Sequence, residues 1–174
     1  MSIKFATEYA TAAHAGQKRK YTYEDYITHP IAVAQMVSNI GLSDTAVKAA
    51  ILHDTVEDTS VTLDDIKRHF GEEVMKYVYF LTKPESFVGN RKTRKAITRA
   101  ILAEAPTEVK LIKFLDVYHN HASIKKYDTE FFEGAFKTET ILLLEALDIE
   151  ELVKDYPIKK LYLELIANLG VSHI

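Results

Sequence analysis

Hydrophobic residues recur along most of this chain at intervals of three and four, which is the spacing of one face of an α-helix. Val33, Val37 and Ile40 form such a stripe, and Gly41 follows it as a helix-ending residue. Only 6 Gly and 4 Pro interrupt the 174 residues, so few breaks are expected. The pattern predicts an all-α fold with helices over residues 2–14, 28–41, 43–54, 62–71, 72–81, 91–101, 107–126, 129–147 and 157–170.

Two segments depart from the helical spacing. Residues 16–28 are rich in aromatic and charged side chains, and the runs at 21–23 and 26–28 have strand-like composition. We therefore expect a short β-hairpin near residues 21–28 within the all-α fold. Residues 83–89 contain Pro84 and Gly89 and predict a loop. Because no repeat, low-complexity segment or linker divides the chain, residues 1–174 are expected to form one domain.

Composition narrows the classes of function. Hydrophobic residues make up 47% and charged residues 27% of the chain, as in ordinary globular proteins. The net charge of −3 argues against binding nucleic acid through bulk charge. The chain has no cysteine, and Glu8 interrupts the apolar N-terminal stretch. No apolar run approaches the roughly 18 residues of a membrane span. We expect a cytoplasmic protein without a signal peptide, a membrane segment or a nucleic-acid partner.

The most informative polar residues are His53 and Asp54, which follow the apolar residues of a predicted helix. Burying such groups is unfavourable unless a partner such as a divalent cation compensates them. Chance alone gives roughly 0.4 His-Asp pairs in a chain of this composition, so the pair needs further support. His29 upstream and Asp116 downstream, within an apolar helix, supply it. Two imidazoles and two carboxylates suit Mn²⁺, Fe²⁺ or Zn²⁺.

Glu57 and Asp58 follow His53 and Asp54 by four residues. If the helix continues, these carboxylates lie one turn further along the same face. There they are expected to act as general acid–base groups on a water beside the metal rather than as its ligands. Four ligands and two additional carboxylates together predict a metal-dependent hydrolase.

The order His, His-Asp, Asp is similar to that of the HD-domain metal-dependent phosphohydrolases. The local sequences Tyr26-Ile27-Thr28-His29-Pro30 and His53-Asp54-Thr55-Val56-Glu57-Asp58-Thr59 narrow this likeness. Together with His14–Lys20, Phe70-Gly71, Leu81–Lys83 and Lys113–Asn120, they resemble the hydrolase domain of Rel/SpoT stringent-response enzymes and the small alarmone hydrolases. The likeness covers about residues 1–145. It implies a helical HD-domain bundle and Mn²⁺-dependent removal of the 3′-pyrophosphate from ppGpp and pppGpp.

The resemblance also implies residue roles. His29, His53, Asp54 and Asp116 correspond to the metal ligands, and Glu57 and Asp58 to the catalytic carboxylates. Arg19 and Lys20 match the family's basic pair at the purine nucleotide, and Lys113 and Asn120 match positions that face the substrate. His14, His69, His119 and His121 have no assigned place and are expected to be structural or exposed. The roughly 30 residues after position 145 are too few for a synthetase domain, so hydrolysis is expected as the sole activity.

Two departures from the family pattern concern substrate selectivity. The loop Tyr21–Asp25 is longer and more acidic than its usual counterpart, and Val117 replaces the usual Arg after Asp116. These changes leave a second substrate class open: another nucleotide, such as an adenine alarmone or NADPH. A non-catalytic nucleotide-binding regulator is disfavoured because all four ligands and both carboxylates are present. An iron-dependent oxygenase would need further His ligands, for which His119 and His121 are poorly placed.

Overall fold

The predicted helices form in a computed structural model of the protein, which describes residues 1–82 and 89–173. No strand occurs in these two ranges, so the all-α prediction is confirmed. Of the predicted loop at 83–89, residues 83–88 lie outside the described residues. The helices are α1 (Ile3–Ala13), α2 (Thr28–Asn39), α3 (Asp44–Leu52), α4 (Thr55–Asp58), α5 (Leu63–Phe70), α6 (Glu72–Leu81), α7 (Arg91–Ala103), α8 (Thr107–Tyr127), α9 (Thr129–Phe131), α10 (Lys137–Ala146), α11 (Ile149–Asp155) and α12 (Lys159–Leu169).

Local capping explains several boundaries. The Ser43 side chain accepts a hydrogen bond from the amide of Ala46 at the start of α3. Thr62 and Asp65 form a reciprocal capping box at α5, as their spacing predicts. At the start of α2, Ile27 occupies the N-cap position without a side-chain hydrogen bond. The Thr28 hydroxyl instead donates to the backbone oxygen of Asp25 and closes the preceding turn.

The hairpin expected near residues 21–28 reduces to one isolated antiparallel bridge between Lys18 and Asp25. The Tyr23 amide donates to the oxygen of Arg19, and Tyr23 has a φ of 60°. This tight turn reverses the chain at once, and α2 begins three residues after Asp25. The segment between the turn and α2 is therefore too short to form a pair of strands.

The helix predicted over 129–147 is interrupted by a π-helical turn, Phe132–Phe136. Phe132 and Phe136 stack with ring centroids 5.6 Å apart, and both side chains are buried. The wider turn carries both rings into the core, and π turns often mark functional regions. The segment after it also differs: α11 is a separate short helix, and α12 begins at Lys159 rather than at Pro157.

The long helix α8 runs through the core and packs against α2, α3 and α6. Leu111, Ile112, Phe114 and Leu115 are all 0% exposed, which confirms that the helix around Asp116 is buried. The apolar end of α3 is equally buried at Ile51 and Leu52. The functional side chains of α2, α3 and α8 are therefore held by close-packed apolar neighbours. Among the described residues, no helix is long and apolar enough to cross a bilayer.

Candidate metal centre and the cleft beside it

Four of the predicted residues meet where α2, α3 and α8 approach one another. His29 lies in the first turn of α2, His53 and Asp54 link α3 to α4, and Asp116 lies midway along α8. One donor atom each from His29, His53 and Asp54 lies within 4.8 Å of the others, a separation suited to sharing an ion. Asp116 adjoins this group, because its Oδ1 is 3.1 Å from His29 Nε2 and 3.8 Å from His53 Nε2.

The helix carrying His53 does not continue without interruption to Asp58. α3 ends at Leu52, and α4 begins at Thr55. His53 and Asp54 nevertheless keep right-handed helical backbone angles, and the Asp58 amide donates to the oxygen of Asp54 at 2.9 Å. The turn therefore preserves a helical offset of four residues, and Glu57 and Asp58 line the same cleft as Asp54.

His53 presents a nitrogen suited to binding a cation. Its Nδ1 bonds the backbone oxygen of Ala50 at 2.7 Å, which fixes the ring and leaves Nε2 as the donor atom. This Nε2 is buried and makes no aligned hydrogen bond. Oxygens of Asp54 and Asp116 lie 3.1 Å and 3.8 Å from it, too poorly directed to satisfy it. An orphaned buried nitrogen among carboxylates fits a divalent ion.

His119 orients the second imidazole, a contact that the sequence analysis missed. His29 Nδ1 and His119 Nδ1 lie 2.9 Å apart, so one nitrogen must donate and the other accept. Burial, with the nearby His29 and Arg19, lowers the pKa of His119 to about 4 and keeps it neutral. In the metal-free site His29 Nε2 donates to the ionised Asp116 Oδ1 at 3.1 Å. With an ion bound, Nε2 would give up that proton to act as a ligand, and neutral His119 could then accept from His29 Nδ1.

Asp116 is fixed by neighbours on its own helix. Lys113 Nζ donates to Oδ2 at 2.7 Å, and Asn120 Nδ2 donates to Oδ1 at 2.8 Å. Burial alone would raise the pKa of Asp116, but Lys113 and the two imidazoles together hold it well below its usual range. Burial opposes charge on Lys113 as well, yet Asp116 raises the pKa of the ammonium. The pair stays ionised because each partner compensates the other.

Tyr26 is the other functional contact that the sequence analysis missed. Its hydroxyl donates to Asp54 Oδ2 at 2.7 Å and lies 3.0 Å from Asp58 Oδ2. Burial and the charge of Asp54 raise the pKa of this phenol, so it remains a donor. Tyr26 therefore ties a predicted metal ligand to a predicted catalytic carboxylate. The signal available in the sequence was its position three residues before His29, in the turn that the His29 amide closes on the Tyr26 oxygen.

A cleft of about 270 Å³ opens beside this cluster. The predicted residues Asp54, Glu57, Asp58, Asp116, Lys113 and Asn120 all line it, and α7 and α10 contribute further charged side chains. Aromatic and aliphatic side chains form the rest of the wall: Tyr26, Leu81, Val117, Ile124, Phe131 and Phe136. The cleft thus combines polar groups at one end with apolar surface, as small-molecule sites do.

The predicted basic pair lies apart from this cleft. Arg19 donates to Asn120 Oδ1 at 2.7 Å but lines a neighbouring cavity with Glu24 and His119. Lys20 bonds Asp128 at 3.2 Å and its side chain is 74% exposed. Of the two acidic loop residues, Asp25 pairs with Lys18 at 2.6 Å, whereas Glu24 lines the cavity beside Arg19.

The chain belongs to the HD-domain family, whose model matches residues 6–141. A guanosine-3′,5′-bis(diphosphate) 3′-pyrophosphohydrolase of Aquifex aeolicus is 40% identical over 119 residues, which cover 68% of this chain and 17% of that protein. A protein of the same name from Xenopus tropicalis, MESH1, is 35% identical over 128 residues, covering 72% of this chain and 70% of that one.

The fold is also similar to that of a solved metazoan protein, described as an ortholog of SpoT that hydrolyzes ppGpp and plays a role in starvation responses. The TM-score is 0.75 at 25% identity, over 83% of this chain and 84% of that chain. The long bacterial relatives are different in size, because the matched part of this chain spans about a sixth of their length.

We predict that a divalent ion entering this cluster displaces a proton from His53. Burial opposes protonation, but the carboxylates of Asp54 and Asp116 outweigh it and raise the pKa of His53 to about 10. Below that pH the metal-free imidazole is charged, so a cation must compete with the proton.

Calorimetric titration with Mn²⁺ in buffers of different ionisation enthalpy should show about one proton released per ion. Apparent affinity should fall by about tenfold per unit between pH 9 and 7. An affinity unchanged over this range would contradict the prediction.

Proposed function

We propose that this chain is a Mn²⁺-dependent hydrolase that removes the 3′-pyrophosphate of ppGpp and pppGpp and releases pyrophosphate with GDP or GTP. The single observation that carries the proposal is the convergence of two imidazoles and two carboxylates beside a cleft that also holds Glu57, Asp58 and Lys113. The names of the Aquifex and Xenopus relatives support the substrate class.

The metal site in this proposal consists of His29, His53, Asp54 and Asp116. Mixed nitrogen and oxygen donors favour a borderline ion such as Mn²⁺ over Ca²⁺ or Mg²⁺, and another divalent transition metal would also fit this donor set. The ion would supply Lewis-acid stabilisation of the attacked phosphate and would acidify a nearby water. The backbone oxygen of Ala50 accepts from His53 Nδ1, and His119 would accept from His29 Nδ1 once the ion takes Nε2, so both imidazoles would bind through Nε2.

Glu57 and Asp58 are the proposed catalytic carboxylates. Both line the cleft one helical turn beyond His53 and Asp54, within reach of a water that approaches the phosphorus. Glu57 takes the proton of this water, and Asp58 orients the water. Tyr26 holds the Asp58 side chain at a fixed place relative to Asp54. The proton therefore moves to a group that does not also have to bind the ion.

Lys113 is the proposed partner of the attacked pyrophosphate. Its ammonium lines the cleft while it bonds Asp116, so it offers positive charge beside the cluster. Asn120 donates to Asp116 and accepts from Arg19, so it connects the proposed metal site to the predicted nucleotide contacts. Arg19 and Lys20 remain the predicted purine contacts. We further propose that residues 1–174 act as one domain in the cytoplasm, where such nucleotides are made.

A second candidate keeps the reaction type and changes the nucleotide to an adenine alarmone or NADPH. Val117 lines the cleft where the related enzymes usually carry Arg, and Arg19 is already engaged by Asn120. Both observations concern the part of the site that reads the nucleotide rather than the metal cluster. They favour altered base selectivity with unchanged metal chemistry.

A nucleotide panel tests the proposed function. We predict that ppGpp, pppGpp or a 3′-pyrophosphorylated adenine analogue releases pyrophosphate with Mn²⁺, because the cluster lies beside a cleft with cationic side chains. Activity should disappear in excess chelator and return best with Mn²⁺. NADPH and mononucleotides complete the panel. Turnover of a monophosphate ester with none of the 3′-pyrophosphorylated compounds would contradict the proposal, as would full activity in chelator.

Glu57→Gln separates catalysis from metal binding. We predict unchanged Mn²⁺ occupancy with a loss in kcat of about 10²-fold or more, because general acid–base groups contribute in this range. Glu104→Gln is the matched control, since Glu104 is exposed and not among the residues lining the cleft. Metal content by elemental analysis and steady-state kinetics give the two readouts. If Glu57→Gln loses the ion, Glu57 is a ligand and its assignment is wrong.

A further inference from the structure

The wall of the cleft formed by α7 and α10 carries an ion-pair group to which the proposed reaction assigns no role. Glu139 receives two hydrogen bonds from Arg91, at 2.6 Å from Nε and 2.8 Å from the terminal nitrogen. Lys95 Nζ lies 3.6 Å from Oε2, the oxygen that also accepts from the terminal nitrogen of Arg91. All three side chains line the cleft that contains Asp54 and Asp116.

The charges of the cleft show why this group matters. Five carboxylates line it: Asp54, Glu57, Asp58, Asp116 and Glu139. Among the residues that the structure describes, its cationic side chains are Arg91, Lys95 and Lys113. The proposed reaction already assigns Lys113, which also bonds Asp116, to the attacked pyrophosphate, and the predicted pair Arg19 and Lys20 does not line the cleft. A polyanionic substrate therefore meets Arg91 and Lys95 as the cations on the α7 wall.

We propose that Arg91 and Lys95 form a second phosphate-binding subsite, and that Glu139 fills this subsite until a phosphorylated substrate displaces its carboxylate. The inference rests on the proposed function and assigns to the subsite the 5′-phosphates, which are not attacked. The Arg91 fork that holds a carboxylate in two parallel bonds matches a phosphate equally well.

The surroundings favour this exchange. The Arg91 guanidinium lies 5.1 Å from the centroid of the Phe131 ring, which keeps the fork in place when its anionic partner changes. A smaller cavity is lined by Lys95, Lys113 and Glu139 together, so the proposed subsite is continuous with the lysine beside the metal cluster. Displacing Glu139 replaces one singly charged anion by a phosphate of higher charge, which strengthens the attraction to both cations.

Kinetics of two substrates test the subsite. For Arg91→Ala, we expect kcat/KM for ppGpp to fall about tenfold or more, mostly through KM, as for loss of a hydrogen bond to a charged group. Guanosine 3′-diphosphate, which lacks 5′-phosphates, should be affected less than twofold. Arg91→Lys should fall between Arg91→Ala and the parent protein. The control is Lys92→Ala, because Lys92 is exposed on α7 and does not line the cleft.

The direction in which Glu139→Gln changes KM for ppGpp distinguishes the subsite from a structural ion pair. Removing the competing anion should lower KM for ppGpp by several-fold, whereas a purely structural ion pair would raise KM or reduce stability when broken. Arg91→Ala alone removes a cation and also leaves the Glu139 carboxylate without its partner. In the Glu139→Gln background only the cation is lost, and Arg91→Ala should still weaken ppGpp binding. Equal effects of Arg91→Ala on both substrates, or a higher KM for Glu139→Gln, would overturn the proposal.

Binding of GDP separates this inference from the proposed function. In excess chelator, calorimetry should rank GDP affinity as Glu139→Gln above the parent protein and the parent above Arg91→Ala, with guanosine affinity unchanged. If the three proteins follow this order of GDP affinity but the parent protein does not hydrolyse ppGpp, the proposed reaction is refuted and the subsite stands. Equal GDP affinity in the three proteins would refute the subsite, even if ppGpp is hydrolysed.

Discussion

Two imidazoles and two carboxylates share a buried volume in which they satisfy one another only in part. Nε2 of His53 makes no aligned hydrogen bond there, and oxygens of Asp54 and Asp116 approach it without good direction. Such a group is unfavourable in the interior unless a cation compensates it. A proton on His53 does so in the metal-free protein, and a divalent ion bound by all four donors would do so more completely. The close-packed apolar helices hold the four donors together despite this cost.

The helices position the four donors through contacts that lie outside the cluster itself. The backbone oxygen of Ala50 fixes His53, His119 fixes His29, and Lys113 fixes Asp116. Tyr26 then links Asp54 to Asp58. Each donor is therefore oriented by at least one further partner, as in metal sites whose outer hydrogen bonds tune the ligands. The apolar packing of α8 around Asp116 keeps these partners in register.

The sequence predicts the helices and the cluster because both depend on local patterns. The spacing of Leu111, Ile112 and Leu115 identifies a buried helix, and a carboxylate within such a helix requires a partner. The contacts of Tyr26 and His119 were not predicted, because they depend on how segments distant in the sequence pack together. The π turn at 132–136 was missed for a related reason: only the packing of Phe132 and Phe136 against the core reveals it. Arg91 and Glu139, 48 residues apart, likewise meet only in the folded chain.

A diffraction measurement on crystals of the Mn²⁺-loaded protein tests the central claim most directly. Data collected on both sides of the manganese absorption edge locate the ion independently of the surrounding density. The account predicts one anomalous peak bound by His29, His53, Asp54 and Asp116 at about 2.0–2.2 Å, the range for nitrogen and oxygen ligands of similar ions. Glu57 should lie outside direct contact with the ion. A peak elsewhere, or a site in which Glu57 replaces Asp116 as a ligand, would contradict the account.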